Sequence, residues 1–226
     1  MAKCKKTPDE KHRKIKKNAI FVKFFNSLKT MLVDKLKNYT LVLASQSPRR
    51  KELLAGLGFV FEVNWVETNE ILSADLTPCQ MVESLARKKV EAVANQYNLN
   101  KTIIIGGDTI VCIDDIILGK PADRSEAIQM LQQLSGKKHL VISGLCVIHK
   151  EQNFCNHDIT KVYVKPLINE EIAYYVDTYR PFDKAGSYGI QEWIGYQAIN
   201  QINGSFYNVM GLPTHLLWEM LSQIAE

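Results

Sequence analysis

Apolar residues come in short bursts along this chain, and their spacing changes from one burst to the next. LVLA at 41–44 is a run of four between polar neighbours and predicts a buried strand. Ser47 and Pro48 follow, then Leu53, Leu54 and Leu57 at helical spacing, then Gly58. Ser47 as N-cap, Pro48 as first helical residue and a closing glycine predict a helix. Residues 59–66 predict a strand, and Thr77 opens a longer helix through Met81, Leu85 and Val90 to about Gln96. TIIIGGDTIVCIDDIILGKP at 102–121 predicts a strand ending at the glycine pair, then a hairpin around Asp114 and Asp115. Asp123 with Glu126 resembles a capping box for a helix through Ala127, Met130 and Leu134, ended by Gly136. Strands at 139–149 and 160–165, a short helix at 169–178, a glycine-punctuated loop at 186–195 and a closing helix at 213–224 complete the pattern. Strands and helices interleave without a strict alternation and without repeats, which predicts an α/β fold with a mixed sheet.

Charge divides the chain in two. The whole carries a formal +4, yet residues 1–38 alone carry +9, which leaves −5 for the rest. The basic stretch has no secretory logic: its apolar patch at 19–22 is short and Lys23 interrupts it. Phe21, Phe24, Phe25, Leu28, Leu32 and Leu36 fall near helical spacing with lysines between them. The expectation is a basic extension over 1–38, partly helical or disordered, and a single domain over 39–226. An anionic membrane surface or a nucleic acid is the alternative use of the arm. Translation from Met31 is a further alternative. No run of 18 or more apolar residues exists, so no membrane span is expected. The five cysteines are odd in number and form no CxxC pair, which argues against a disulfide framework or a zinc site and suits a reducing cytoplasm.

The chemistry begins at SQSPRR, residues 45–50. Arg49 and Arg50 stand in the first turn of a helix, where the dipole is positive and acidic side chains are normally favoured. Cations there are unfavourable alone. They fit a multiply charged anion held by main-chain N–H groups, the two guanidinium groups and the hydroxyls of Ser45 and Ser47. The bland alternative is that both arginines are outward surface charges. Asp108 lies beside glycines that permit close backbone approach, and a carboxylate there can bind a divalent metal or activate water. Lys120, in LGKP, projects a cation from a rigid corner. Gln191, in DKAGSYGIQ, offers an amide donor and acceptor to a base edge.

Taken together, LASQSPRRKELL, LARKKVEAV, GGDTIV, LGKP, DKAGSYGIQ and INGSFYNVMGLP, in that order, resemble the Maf family of nucleoside triphosphate pyrophosphatases. The resemblance runs from about Leu41 to the C-terminus. It implies an α/β fold, a mixed twisted sheet with flanking helices and two lobes around a central cleft, related to the inosine triphosphate pyrophosphatases. It implies cleavage of nucleotides between the α and β phosphates, dependence on Mg²⁺ or Mn²⁺, a homodimer and a cytoplasmic location. Residue by residue, it implies Asp108 as proton acceptor or metal-linked base, with Ser45, Arg50, Lys89 and Lys120 as phosphate contacts. Lys88 is the neighbour that could be confused with Lys89. Arg49, Thr109 and Gln191 occupy the positions tied to base selectivity. Glu70 is the candidate metal ligand beside Asp108, with Glu67 its nearest competitor in VETNEIL. Glu192 departs from the glycine that many members carry after the glutamine, and sets a carboxylate beside the presumed base pocket. The complete AGSYGIQ is similar to the branch acting on dTTP, UTP and related pyrimidine nucleotides. The rival functions are a purine-directed inosine/xanthosine pyrophosphatase, a catalytically silent regulator of division or septum formation, and a nucleic-acid-binding module. The mildly acidic body speaks against the last.

Overall fold

Seven strands form one mixed sheet in the computed structural model, which describes residues 32–68, 75–150 and 152–225. The strands are β1 (Thr40–Leu43), β2 (Glu62–Val63), β3 (Thr102–Ile113), β4 (Ile116–Leu118), β5 (Lys138–His149), β6 (Gln152–Val164) and β7 (Ile199–Asn203). Their order is β2-β1-β3-β5-β6-β7, with β4 also paired to β3. β2, β1 and β3 run parallel, and every other pairing is antiparallel. The α/β mixed sheet is therefore as expected.

Local signals place the helices. α1 (Pro48–Gly56) starts where the Ser47 hydroxyl accepts from Arg50 N at 3.4 Å, with proline in the first turn. α2 (Pro78–Ala94) has a full capping box between Thr77 and Gln80. α3 (Arg124–Leu134) is capped by Asp123, but Glu126 reaches back to Ala122 N rather than to the cap's own N–H. α4 (Asn169–Tyr179), α5 (Trp193–Ala198), α6 (Phe206–Met210) and α7 (Thr214–Ile224) follow.

Strand alternation divides the core into two layers. Val42, Ile104, Cys146 and Ile148 meet Ala86, Val90 and Val93 of α2 on one face, and Ile110 and Ile142 meet Val82. Leu43, Ile103, Ile105, Val141, Leu145 and Val162 face the other way, onto α1, α3, α4 and α7.

Four expectations need correction. The strand through 102–105 does not stop at Gly106 and Gly107; it continues to Ile113 because β5 pairs it throughout. The strand expected over 59–66 shrinks to two residues, paired only with β1. The strand expected over 160–165 is the end of β6, which starts at Gln152; its first half alternates weakly and draws its pairing from β5. Cys146 and Cys155 lie opposite each other in that hairpin, 4.1 Å apart at Cα, and form a disulfide. Linear spacing hid the pair, and the disulfide removes the cysteine argument for a reducing compartment. Residues 32–36 are helical, with Leu32 and Leu36 buried in the main core. The rest of the arm, including Met31, lies outside the described residues. No helix among the described residues is long and apolar enough to cross a membrane.

Candidate active site

The cleft opens where the sheet is incomplete. β1 pairs with residues 102–105 of β3, and β4 with residues 111–113. Between them, among the described residues, no strand covers that edge of β3; β5 alone pairs it, on the other side. Asp108 and Thr109 lie in this gap. β1 ends at Leu43, and the chain turns through Ser45–Ser47 into α1 beside it. A cleft of about 670 Å³ results, within the range of small-molecule sites. Among the described residues, five cationic side chains line it, Arg49, Arg50, Lys89, Lys120 and Lys184, with three carboxylates, Glu67, Asp108 and Asp183. The cationic excess suits a polyanion.

Asp108 and Thr109 point to opposite faces of the strand. On the α2 side, Lys89 Nζ donates to Asp108 Oδ1; the two side chains are 17% and 15% exposed. Two glycines make that contact feasible. A Cβ on Gly106 would stand 2.6 Å from the Val90 side chain, and one on Gly144, directly across from Asp108, 2.2 Å from Val82 O. The glycines beside Asp108 therefore seat α2 against the sheet, which brings Lys89 within reach.

On the other side, three described residues hold the Arg50 guanidinium. Its Nε donates to Gly211 O at 2.7 Å, Nη1 to Ser45 Oγ at 3.3 Å and Nη2 to Thr109 Oγ1 at 3.1 Å. Ser45 Oγ also accepts from Ser47 N at 3.2 Å, which shapes the turn into α1. Arg49 reaches across the cleft to Asp183 Oδ2 at 2.6 Å. Neither arginine is a bare surface charge.

Asp183 opens the segment that carries Gln191. Lys184 is buried and bridges Asp183 Oδ1 at 2.7 Å and Glu192 Oε1 at 3.1 Å. Burial pushes the Asp183 carboxyl up, but the hydrogen bonds from Lys184 and Arg49 outweigh it and leave it below the ordinary carboxylate value. Glu192 does not line the cleft. It turns back to Lys184 and accepts from Tyr175 OH, which itself accepts from Gly189 N at 3.0 Å. The expectation of a carboxylate beside the base pocket is thus corrected: Lys184 and Tyr175 draw Glu192 beneath the loop, where it braces it. Tyr188, at the cleft wall, meets buried His139 Nε2 at 2.8 Å, and burial lowers the His139 pKa to about 4. Gln191 lines the cleft with its Oε1 buried and without a hydrogen-bond partner among the described residues.

Ser45, Ser47, Arg49, Arg50, Lys89, Asp108, Thr109, Lys120 and Gln191 all line this one cleft. Lys88 does not, and Glu67 does. Glu70 lies outside the described residues. Asp183, Lys184 and Trp65 line the cleft too and escaped the sequence reading. The DKAG stretch held the signal for the first two, since adjacent opposite charges before a glycine-rich loop mark a fixed pair.

An α/β sheet interrupted at a cationic cleft with one carboxylate at the gap defines a protein built to hold a phosphate-bearing ligand. The chain belongs to the family described as Maf-like protein, whose model matches residues 40–224. It is 49% identical over 197 residues to the dTTP/UTP pyrophosphatase of Porphyromonas gingivalis strain ATCC 33277, covering 86% of this chain and 99% of that protein. The dTTP/UTP pyrophosphatase of Bacteroides thetaiotaomicron is 42% identical over 194 residues, 85% of this chain and 100% of the relative. That of Flavobacterium johnsoniae is 40% identical over 194 residues, 86% and 100% respectively.

Proposed function

We propose that this protein hydrolyses dTTP and UTP to the nucleoside monophosphate and pyrophosphate, clearing unwanted nucleotides from the pool. The observation that carries the reading is the Lys89–Asp108 pair at the gap in the sheet, facing a cleft with excess cationic charge. Water attacks the α-phosphorus. Lys89 fixes Oδ1 of Asp108, and Oδ2 takes the proton from the attacking water. The bond from the α-phosphorus to the bridging oxygen breaks, and pyrophosphate leaves. Arg50 and Lys120 neutralise the charge that develops on it. Ser45, Ser47 and the N-terminus of α1 hold the phosphate chain.

The donor set of the cleft suits a hard divalent cation, Mg²⁺ or Mn²⁺. Of its three carboxylates among the described residues, Asp183 is engaged by Arg49 and Lys184, which leaves Asp108 and Glu67. That matches an ion bound by one or two carboxylates together with phosphate oxygens and water. Asp108 with Glu67 or Glu70 would hold it. When bound, such an ion neutralises phosphate charge and lowers the pKa of coordinated water.

Base choice rests on Gln191. Its buried Oε1 meets no donor among the described residues, and the N3–H of thymine or uracil supplies one. Cytosine presents a bare N3 and leaves the acceptor opposed. Arg49 and Thr109 form the neighbouring walls. We further take the protein to be a cytoplasmic homodimer of 39–226 domains with the basic arm outside the catalytic unit.

The test is pyrophosphate release from dTTP, UTP, dCTP, dGTP and ITP, with Mg²⁺, Mn²⁺ or EDTA. The expected order places dTTP and UTP first, with dCTP poor and EDTA abolishing turnover. Turnover of ITP without dTTP would favour the purine-directed reading, and no turnover of any nucleotide would overturn the proposal.

A further inference from the structure

Below the cleft floor lies a chain of buried hydroxyl and amide groups whose protons can all be assigned. Asn208 is fully buried in α6. Its Nδ2 donates to Val141 O at 3.1 Å and to Thr160 Oγ1 at 2.9 Å, and Thr160 passes its own proton to Ser205 O at 3.1 Å. The α6 backbone is thereby tied to β5 and β6. Asn208 O faces Ser143 Oγ at 2.9 Å, and a carbonyl can only accept, so the single proton of Ser143 is committed there. Ser143 Oγ is 2.8 Å from Thr109 Oγ1. With its own proton engaged, Ser143 must accept, and Thr109 must donate. Thr109 then offers only lone pairs to the Arg50 Nη2 at 3.1 Å.

We propose that Ser143 is a positioning residue for Arg50: by taking the proton of Thr109 it fixes Thr109 Oγ1 as an acceptor and holds the guanidinium in one orientation at the cleft wall. Ser143 is fully buried and does not line the cleft, so it acts only through Thr109. Its removal has a defined consequence. The next acceptor for the Thr109 proton is Gly211 O at 3.5 Å, the same carbonyl that holds Arg50 Nε at 2.7 Å. The Thr109 hydroxyl and Arg50 Nε then donate to the same oxygen, and the hydroxyl turns out of line with Nη2. Gly211 has φ +112° and serves as the C-cap of α6, so this carbonyl is set by the same helix that fixes Ser143.

The inference rests on the pyrophosphatase reading for its simplest assay. In the full-length protein, Ser143→Ala is expected to lower kcat/KM for pyrophosphate release about five- to tenfold, the scale of one lost hydrogen bond. The loss falls equally on dTTP and dGTP, because Arg50 meets the phosphate chain common to both. Thr109→Val, which also alters the cleft wall, gives at least that loss, and the double variant is no worse than Thr109→Val alone, since Ser143 acts through that hydroxyl. Independent, multiplying losses in the double variant would overturn the proposal, as would a Ser143→Ala enzyme with wild-type kinetics. A merely structural Ser143 would lower the melting temperature in both backgrounds while leaving the kinetic losses uncoupled. Should the wild-type protein release no pyrophosphate, the catalytic reading fails separately. The same cycle is then read from calorimetric affinity for inorganic pyrophosphate, where the coupled loss supports the proposal and additive or absent losses overturn it.

Discussion

Gly144 has no room for a methyl group, and that sets a quantitative test of how the site is held. A Cβ there would stand 2.2 Å from Val82 O, 2.3 Å from Val82 C and 2.8 Å from Glu83 N, all main-chain atoms of α2. Ordinary contact begins at 3.4 Å, so α2 or β5 must retreat by about 1.2 Å at this point. No rotamer change relieves the clash. The same helix carries Lys89 two turns further on, and its partner Asp108 lies directly across the strand pair from Gly144. Displacing a reacting group by about 1 Å costs on the order of 10²-fold in rate. Overpacking of this kind also costs about 1–3 kcal/mol of stability, which lowers Tm by about 2–4 °C per kcal/mol in a chain of this size. Gly144→Ala should therefore reduce kcat for dTTP about 10²-fold while the protein still melts cooperatively. Gly56→Ala is the control: nothing lies within 4 Å of its Cβ, it sits in α1, and it should be neutral or stabilising by up to about 1 kcal/mol. Kinetics by pyrophosphate release and thermal melts on both variants suffice. A folded Gly144→Ala protein with kcat within threefold of wild type would show that the close seat of α2 does not position Lys89.

Asp108→Asn should retain the fold, seen as a cooperative melt, while losing about 10²–10⁴-fold in turnover at saturating Mg²⁺; near-wild-type kcat would remove it from the proton-transfer role. Gln191→Ala should lower the dTTP-to-dGTP ratio of kcat/KM some 5- to 150-fold, whereas Lys120→Ala should depress every nucleotide alike; an unchanged ratio in Gln191→Ala refutes base recognition. Deleting residues 1–30 should leave kcat/KM for dTTP within about threefold, because every described residue that lines the cleft lies at Ala44 or beyond; a tenfold loss would tie the arm to the site. His139 titrates at about 4 in the folded protein against 6.5 in the unfolded chain, so the unfolded state binds the extra proton first and stability declines as pH falls through that interval. Its contribution to the loss is about 2 kcal/mol by pH 5, measured as the difference between wild type and His139→Gln in urea unfolding at pH 5 and 7.5; equal losses in the two would exclude His139.

Helix starts and the residue types of the site were legible in the linear chain because both depend on near neighbours. Ser47-Pro48 and Thr77 with Gln80 satisfy main-chain N–H groups within three residues, so the caps of α1 and α2 stand as expected. The cations at the start of α1 stood out in the sequence because they oppose the local dipole, and the structure brings both to the cleft. Strand lengths were not legible, since a strand lasts as long as its partner does. β5 draws β3 through the glycine pair and extends β6 back to Gln152, and no local pattern records either. The glycine pair beside Asp108 read as a strand end, yet Gly106 serves the approach of α2, a helix that precedes it in the chain, and Gly107 faces Arg50 on the other side. Glu192 was placed by its neighbour Gln191, but the buried Lys184 and Tyr175 draw it away from the cleft. Ser143, Asn208 and Asp183 matter through distant partners. Their roles arise from hydrogen bonds and ion pairs between segments 34, 65 and 134 residues apart, which only packing brings within 3 Å.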